Sequence, residues 1–413
     1  MKVLLLSTYE KTGGAAIAAS RLLQALRKSG IDATMMVRDK QTDSLTVVAL
    51  PGQKRMQLRF LWERFIIWLR LHLQRKHLFD VDIANCGADI TLLPEFREAD
   101  IIHLHWINQG MLSLDDIHKI LLSGKRVVWT MHDIWPATAI CHVTLECRRY
   151  EEHCCHCRLL PGGGGDSDFA AEVWRRKERM LNGQQLTFVT CSEWLANEAR
   201  KSALLKGHTV VSIPNPIDTH IYHPTDKRKA RETMGLPAEG FVILFASQRV
   251  TNPGKGMQYL LEACQLLAQQ HPEQKDSITV AILGGHAEEI VGQLPFRTCS
   301  LGYVNDEQLI VAAYNAADVF VLPSLSENLP NTIMEAMACG TPCVGFNVGG
   351  IPEMIDHRLN GYVARYKDAT DLADGISYIM ENRKMLGEAA REKVLATYSE
   401  ESVVKRYLKV YSL

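Results

Sequence analysis

Asp318-Val-Phe-Val-Leu-Pro-Ser-Leu-Ser-Glu-Asn-Leu-Pro-Asn-Thr-Ile-Met-Glu-Ala-Met-Ala-Cys-Gly-Thr-Pro-Cys-Val344 decides how this chain is read. The apolar run from Asp318 to Pro323 reads as a buried strand, and the polar residues after it as a loop carrying Glu327. Seven residues then separate Glu327 from Glu335, inside a segment of helical pattern. Pro330 suits the first turn of that helix, where a missing N–H costs nothing, and Gly340 and Pro342 end it. A strand, a loop and a helix N-terminus thus converge, with one carboxylate on the loop and another one turn into the helix. The free N–H groups and positive dipole end of a helix N-terminus suit an anion such as a diphosphate. Two acceptor-only carboxylates beside it suit hydroxyl donors, a sugar on one side and a ribose on the other. Taken alone, the pair would be one surface and one helical glutamate. The surrounding residues decide otherwise.

Working outward, apolar runs alternate with helical patterns from end to end, which implies parallel, doubly wound sheets. Strands are expected near Lys2–Leu6, Ala33–Val37, Ile101–His105, Arg126–Met131, Leu186–Thr190 and Thr209–Ile213. A second set falls near Val242–Ala246, Ile278–Leu283, Asp318–Leu322, Pro342–Phe346 and Gly361–Ala364. At 413 residues the chain exceeds the size at which one core usually divides. Two Rossmann-like domains are therefore expected, 1–215 and 216–397, joined where Pro214 and Pro216 interrupt helix and strand alike. Val403, Tyr407, Val410 and Tyr411 give the tail 398–413 helical spacing.

The 46% apolar and 23% charged content is that of an ordinary globular protein, and a net charge of -1 gives no support to nucleic-acid binding. The first apolar run, Val3 to Leu6, is too short for a signal-peptide core. No stretch reaches the roughly eighteen uninterrupted apolar residues of a spanning helix. The expectation is a cytoplasmic protein whose eleven cysteines stay thiols.

The Glu327-to-Glu335 spacing, the following Ala336-Met-Ala-Cys-Gly-Thr-Pro342 and the later Val348-Gly-Gly-Ile-Pro-Glu353 resemble the nucleotide-sugar half of family-four retaining glycosyltransferases. The resemblance covers nearly the whole chain and is densest from Phe241 to Tyr366. It implies the GT-B fold, two Rossmann-like domains facing across a cleft, with the tail crossing back onto the first, acceptor-binding domain. It also implies that Glu327, Asn328, Leu329 and Asn331 meet the donor sugar and diphosphate, and Glu335 the ribose. Gly13 and Gly14, opening the first helix, match the family's glycine-rich loop beside the diphosphate. Arg249 and Lys255, on the loop after the first strand of the second domain, match its cation pair. Guanidinium and ammonium there neutralise a departing diphosphate. The family usually has fewer residues between them. His132 and Asp133, ending a strand, match a His-Asp pair near the transferred sugar, with His132 positioning that sugar through a hydroxyl. Asn215 and Ser192 match donor- or cleft-facing positions.

No Gly-x-Ser-x-Gly elbow or other covalent nucleophile is evident. The resemblance implies retention by front-face attack, with the leaving phosphate taking the acceptor proton, chemistry that needs no metal. The expected reaction moves a sugar from a UDP- or GDP-sugar to a saccharide acceptor, lipid-linked, in bacterial surface-polysaccharide assembly. The other readings are a nucleotide-sugar epimerase of this architecture and a non-catalytic nucleotide-sugar-binding protein.

Two segments lie outside that scheme. Cys141, Cys147, Cys154 and Cys157 form a C-x5-C-x6-C-x2-C array interleaved with Cys155, His142, His153 and His156. It reads either as a structural zinc site or as a reduced loop that binds nothing. The segment 54–76 has seven Lys or Arg against one Glu among Trp, Phe, Ile and Leu. It reads either as a helix lying on the anionic inner face of a membrane or as one packed on its own domain.

Overall fold

In the computed structural model, which describes residues 1–412, the chain divides into two compact units. One is Met1–Pro214 with the tail from Val404; the other is Asn215–Val403. The joint falls at Pro214 and Asn215, beside the expected position.

The first unit opens with β1 (Lys2–Tyr9), α1 (Gly14–Lys28), β2 (Asp32–Asp39), β3 (Val47–Ala49) and α2 (Gln53–Arg70). It continues through α3 (Pro94–Glu98), β4 (Ile101–Leu104), α4 (Leu114–Leu122) and β5 (Arg126–Met131). α5 (Phe169–Leu181), β6 (Thr187–Thr190), α6 (Glu193–Lys201) and β7 (Thr209–Ser212) complete it. The strands form one parallel sheet in the order β3-β2-β1-β4-β5-β6-β7, with Val3 aligned to Ala33 on one side and Ile101 on the other. Helices cover both faces of such a sheet, so its central strands are buried and mainly apolar: Val3 to Leu6 and Ile101 to Leu104 are all buried, with His103 the one polar side chain among them.

The second unit contains α7 (Lys227–Thr233), β8 (Phe241–Arg249), α8 (Met257–Gln270), β9 (Ile278–Gly285), β10 (Arg297–Gly302) and α9 (Glu307–Ala316). β11 (Val319–Leu322), α10 (Asn331–Ala338), β12 (Cys343–Phe346), α11 (Ile351–Met354), β13 (Gly361–Ala364) and α12 (Ala369–Thr397) follow. Its parallel sheet runs β10-β9-β8-β11-β12-β13. Both sheets reverse direction beside their first strand, between β1 and β4 and between β8 and β11. In open α/β sheets ligands bind at the carboxyl ends of the strands at such a reversal.

Two strands escaped the sequence reading, β3 and β10. Both are edge strands; β3 has three residues, and β10 is the polar run Arg-Thr-Cys-Ser-Leu-Gly, so neither shows an apolar run. The tail forms α13 (Glu400–Ser412), in which Val403, Tyr407, Val410 and Tyr411 are all buried. Leu413, the end of the expected tail helix, lies outside the described residues. The helix expected over 54–76 stops at Arg70, because His72 and Leu73 take left-handed backbone at φ 51° and 66°. No helix among the described residues is long and apolar enough to cross a membrane.

Candidate active site

In the second unit, the loops after β8 and β11 meet at the sheet's reversal. Asn252 accepts a hydrogen bond from the Gly254 N–H at 3.0 Å, folding Pro253–Lys255 into a tight turn. This turn lies between Arg249 and Lys255. Gly256 then starts α8 at φ +71°, where a Cβ would stand 1.8 Å from the Pro323 carbonyl oxygen. Only glycine permits that approach. The neighbouring loop is pinned in return: Leu325 N–H donates to the Gly254 carbonyl at 2.9 Å, and Gly350 N–H to the Asn328 carbonyl at 2.8 Å. Tyr366 Oη donates to the Leu325 carbonyl at 3.1 Å.

The clamp brings Lys255 Nζ to 2.5 Å from Glu327 Oε1. The sequence reading gave these two groups separate partners, diphosphate and sugar; the structure pairs them. An ammonium has three donors, so Lys255 can hold Glu327 and still serve a phosphate oxygen. Arg249 is exposed at the same edge, its Nε donating to Thr251 Oγ1 at 3.1 Å. Pro330 takes the N-cap position of α10 rather than its first turn. Asn331 Oδ1 accepts from Asn215 Nδ2 at 3.2 Å. Leu329 is buried, so its side chain packs and only its backbone is available to a ligand. Glu335 is buried too, with Tyr314 Oη donating to Oε2 at 2.8 Å. Burial first, and then the glutamate charge, push the Tyr314 hydroxyl well above its usual range, so it remains a donor. At the end of β11 the buried Ser324 Oγ has no hydrogen-bond partner.

In the first unit, Gly13 is the exposed N-cap of α1 at φ 89°, and Gly14 is the first helical residue. His132 leaves the end of β5 toward His105, with His132 Nε2 and His105 Nδ1 at 3.0 Å. Its Nδ1 lies 3.5 Å from Cys191 Sγ. Burial pushes His132 down to about 4, against the pull of Asp133, so the ring is neutral at physiological pH. Both ring nitrogens therefore have neighbours within the fold. Behind it stands His103, 4.3 Å from His105 between ring centres. Its nitrogens lie 2.7 Å from Tyr411 Oη and 2.7 Å from Thr130 Oγ1. The tail helix thus reaches the residues that hold His132.

The cation of this edge is His142. Its Nδ1 lies 2.8 Å from Asp133 Oδ2 and its Nε2 2.7 Å from Asp82 Oδ2. Burial opposes the charge, but the two carboxylates outweigh it and raise His142 to about 10. Asp133 also accepts from Trp106 Nε1 at 3.0 Å and from the Trp135 N–H at 2.8 Å. Asp82 pairs on its other oxygen with Arg64, which neighbours Glu63. Sequence reasoning missed this chain and placed His142 within the cysteine array. The one signal was His103-Leu-His105-Trp106, polar rings interrupting an apolar strand end. Ser192 caps α6, accepting the Leu195 N–H at 3.1 Å.

Cys141, Cys147, Cys154 and Cys157 gather in one region, near enough for their charges to act on one another. Among the described residues, however, the close ligand group in this loop is Cys155, His156 and Asp166, with ligand atoms within 4.8 Å of one another. Cys141 is tied to Val81 by a β-bridge, and Cys154 and Cys157 pack against the core. Beneath them Lys177 is fully buried, and its Nζ donates to the Trp135 and Thr138 carbonyls at 2.6 and 3.0 Å.

The family model Glycosyltransferase Family 4 matches residues 12–221, and Glycosyl transferases group 1 matches residues 240–382. The chain belongs to glycosyltransferase family 4. Its relatives include an uncharacterised glycosyltransferase of Methanocaldococcus jannaschii, 26% identical over 81% of this chain and 90% of that protein. A D-inositol 3-phosphate glycosyltransferase of Pseudarthrobacter chlorophenolicus is 31% identical over 70% of this chain and 65% of its own length. The chain spans only 45% and 54% of two further D-inositol 3-phosphate glycosyltransferases. Among solved structures, sucrose-phosphate synthase from Thermosynechococcus elongatus superposes with a TM-score of 0.68 at 19% identity, covering 100% of this chain and 98% of that one. Anabaena HepE in complex with UDP gives 0.65 at 18%, covering 100% of both chains. These are likenesses of fold, and the two Rossmann-like units are those of a GT-B glycosyltransferase.

Proposed function

We propose that this glycosyltransferase retains anomeric configuration and takes a hexosyl group from a nucleoside diphosphate sugar, with UDP-sugars the first donors to test. The acceptor is a saccharide carried on a lipid, in bacterial surface-polysaccharide assembly. The observation that carries the donor reading is the Lys255–Glu327 pair at the β8–β11 reversal, followed in the chain by the Tyr314-bound Glu335 on α10. The structures of HepE with UDP and UDP-glucose, from the same fold, support a uridine donor.

In this reading the diphosphate lies against Arg249, Lys255 and the backbone amides opening α10. Glu335 accepts from ribose hydroxyls and Glu327 from the sugar. The bond from the anomeric carbon to the phosphate oxygen breaks, and the acceptor oxygen bonds to that carbon on the same face. Its proton passes to the departing phosphate. The chain's part is to hold charge and orientation in place before reaction.

Glu335→Ala is expected to weaken UDP binding by roughly ten- to a hundredfold, the scale of hydrogen bonds to a charged group. Glu327→Ala should leave UDP affinity near normal and impair transfer. Titration calorimetry with UDP and UDP-glucose checks both, with melting curves to confirm folding. Unchanged UDP affinity in the Glu335 variant refutes the ribose assignment. Product analysis with and without a saccharide acceptor tests the reaction itself, since an epimerase needs none.

The cysteine array is proposed to hold a structural zinc through Cys141, Cys147, Cys154 and Cys157, whose soft sulfurs suit that ion once drawn together. Elemental analysis should then find about one zinc per chain. Cys154→Ser should lose the metal and Cys155→Ser retain it; the opposite pattern assigns it to Cys155, His156 and Asp166.

A further inference from the structure

Helix α2 is packed on the first unit by one face only. Met56 and Ile67 are buried there, Glu63 accepts the Ile83 and Ala84 N–H groups at 3.2 and 2.7 Å, and Arg64 pairs with Asp82. The opposite face carries Leu58, Leu61, Trp62, Phe65 and Leu69, spacings that fall in one stripe of a helix. All five are exposed, Leu58 at 65% and Trp62 at 53%. Phe65 lies between Trp62 and Trp68, with ring centres 6.0 and 6.1 Å away. Leu73 and Phe79, past the helix end, are exposed as well. Soluble proteins rarely leave such a patch uncovered without a partner.

The charges around the stripe are of one sign. Lys54, Arg55, Arg70, Arg75 and Lys76 are exposed and Arg59 half-buried, while the only carboxylate of the helix, Glu63, is buried. Arg70 reaches Glu172 of α5 at 3.3 Å, and Asp80 beyond the helix is held by His77 at 2.7 Å. A second copy docking through this face by two-fold symmetry would set like cations against one another. A convex aromatic stripe flanked by cations matches a lipid–water interface carrying negative headgroups.

We propose that the outer face of α2 docks the protein on an anionic bilayer, Trp62 and Phe65 entering the headgroup boundary and the flanking cations meeting lipid phosphates. The proposal deepens the lipid-linked acceptor reading. It is tested without donor or acceptor, so the two fail separately. The full chain should sediment with vesicles of phosphatidylglycerol and phosphatidylethanolamine at low salt. It should not sediment with phosphatidylcholine alone, and added salt should release it by screening. Trp62→Ser with Phe65→Ser, and separately Arg55→Glu with Arg59→Glu, should each weaken vesicle binding about tenfold or more, with melting curves and UDP affinity unchanged. Arg64 is unsuitable as a test, because it is paired inside the fold. Absence of wild-type binding at low salt, or equal binding by folded variants, overturns the proposal. So does a solution dimer that Trp62→Ser converts to monomer, which would give the face to a second copy.

Discussion

Lys255→Ala should lower turnover about a hundredfold, close to 3 kcal/mol of barrier, the usual scale for one preorganised contact to developing charge. The ammonium sits 2.5 Å from Glu327 Oε1 on a turn fixed against the β11 loop. Its loss has two consequences. Negative charge on the departing diphosphate goes uncompensated, and Glu327 loses the partner that holds it. Lys255→Arg should restore part of the charge but not the fit, since a planar fork cannot replace a point charge on this turn. Arg249→Ala should be milder, because its side chain is exposed and free to be replaced by water and salt. Single-turnover transfer from UDP-glucose measures all three. Near-normal turnover in folded Lys255→Ala removes Lys255 from the mechanism.

Asp82→Ala should destabilise the first unit by about 3–5 kcal/mol, the cost of leaving buried charges without their partner. Asp82 joins Arg64 of α2 to His142, and His142 joins that pair to Asp133 at the end of β5. All of Glu63, Arg64 and Asp82 are buried, so water cannot take the missing carboxylate's place. Asp82→Asn keeps hydrogen bonding without charge and should cost less. Thermal and urea unfolding compare the variants. A melting temperature within a degree or two of wild type for Asp82→Ala shows that the network carries no stability. Because α2 is held by the same pair, Asp82→Ala should also loosen the helix whose outer face we assign to lipid.

The sequence made the architecture legible because parallel strands buried on both faces are continuous apolar runs. Arg126–Met131 and Gly361–Ala364 coincide with β5 and β13 to the residue. Short or polar edge strands carry no such run, which is why β3 and β10 were missed. The donor half of the candidate site was also legible, since Arg249, Lys255, Glu327 and Glu335 lie within one loop or one helical turn of strand ends. What a linear pattern cannot show is pairing between loops. That Lys255 meets Glu327, and that Tyr314 meets Glu335, depends on the clamp of Gly256 against Pro323 and on α9 lying beside α10.

The first unit shows the same limit more sharply. Its His-Asp pair was visible at residues 132 and 133. The groups they meet come from residues 105, 106 and 142, with Asp82 and Arg64 behind His142 and Tyr411 reaching His103. Local composition marked 54–76 as basic and apolar, but not which arginine turned inward; burial against Asp82 chose Arg64. By itself the sequence determined the two sheets, their alternating helices and the edge of each at which polar residues collect, because those follow from periodicity and turn chemistry along the chain. The tertiary structure alone decided which charges meet, which histidine is a cation and which face of α2 stays open, because charge and exposure depend on neighbours far apart in sequence.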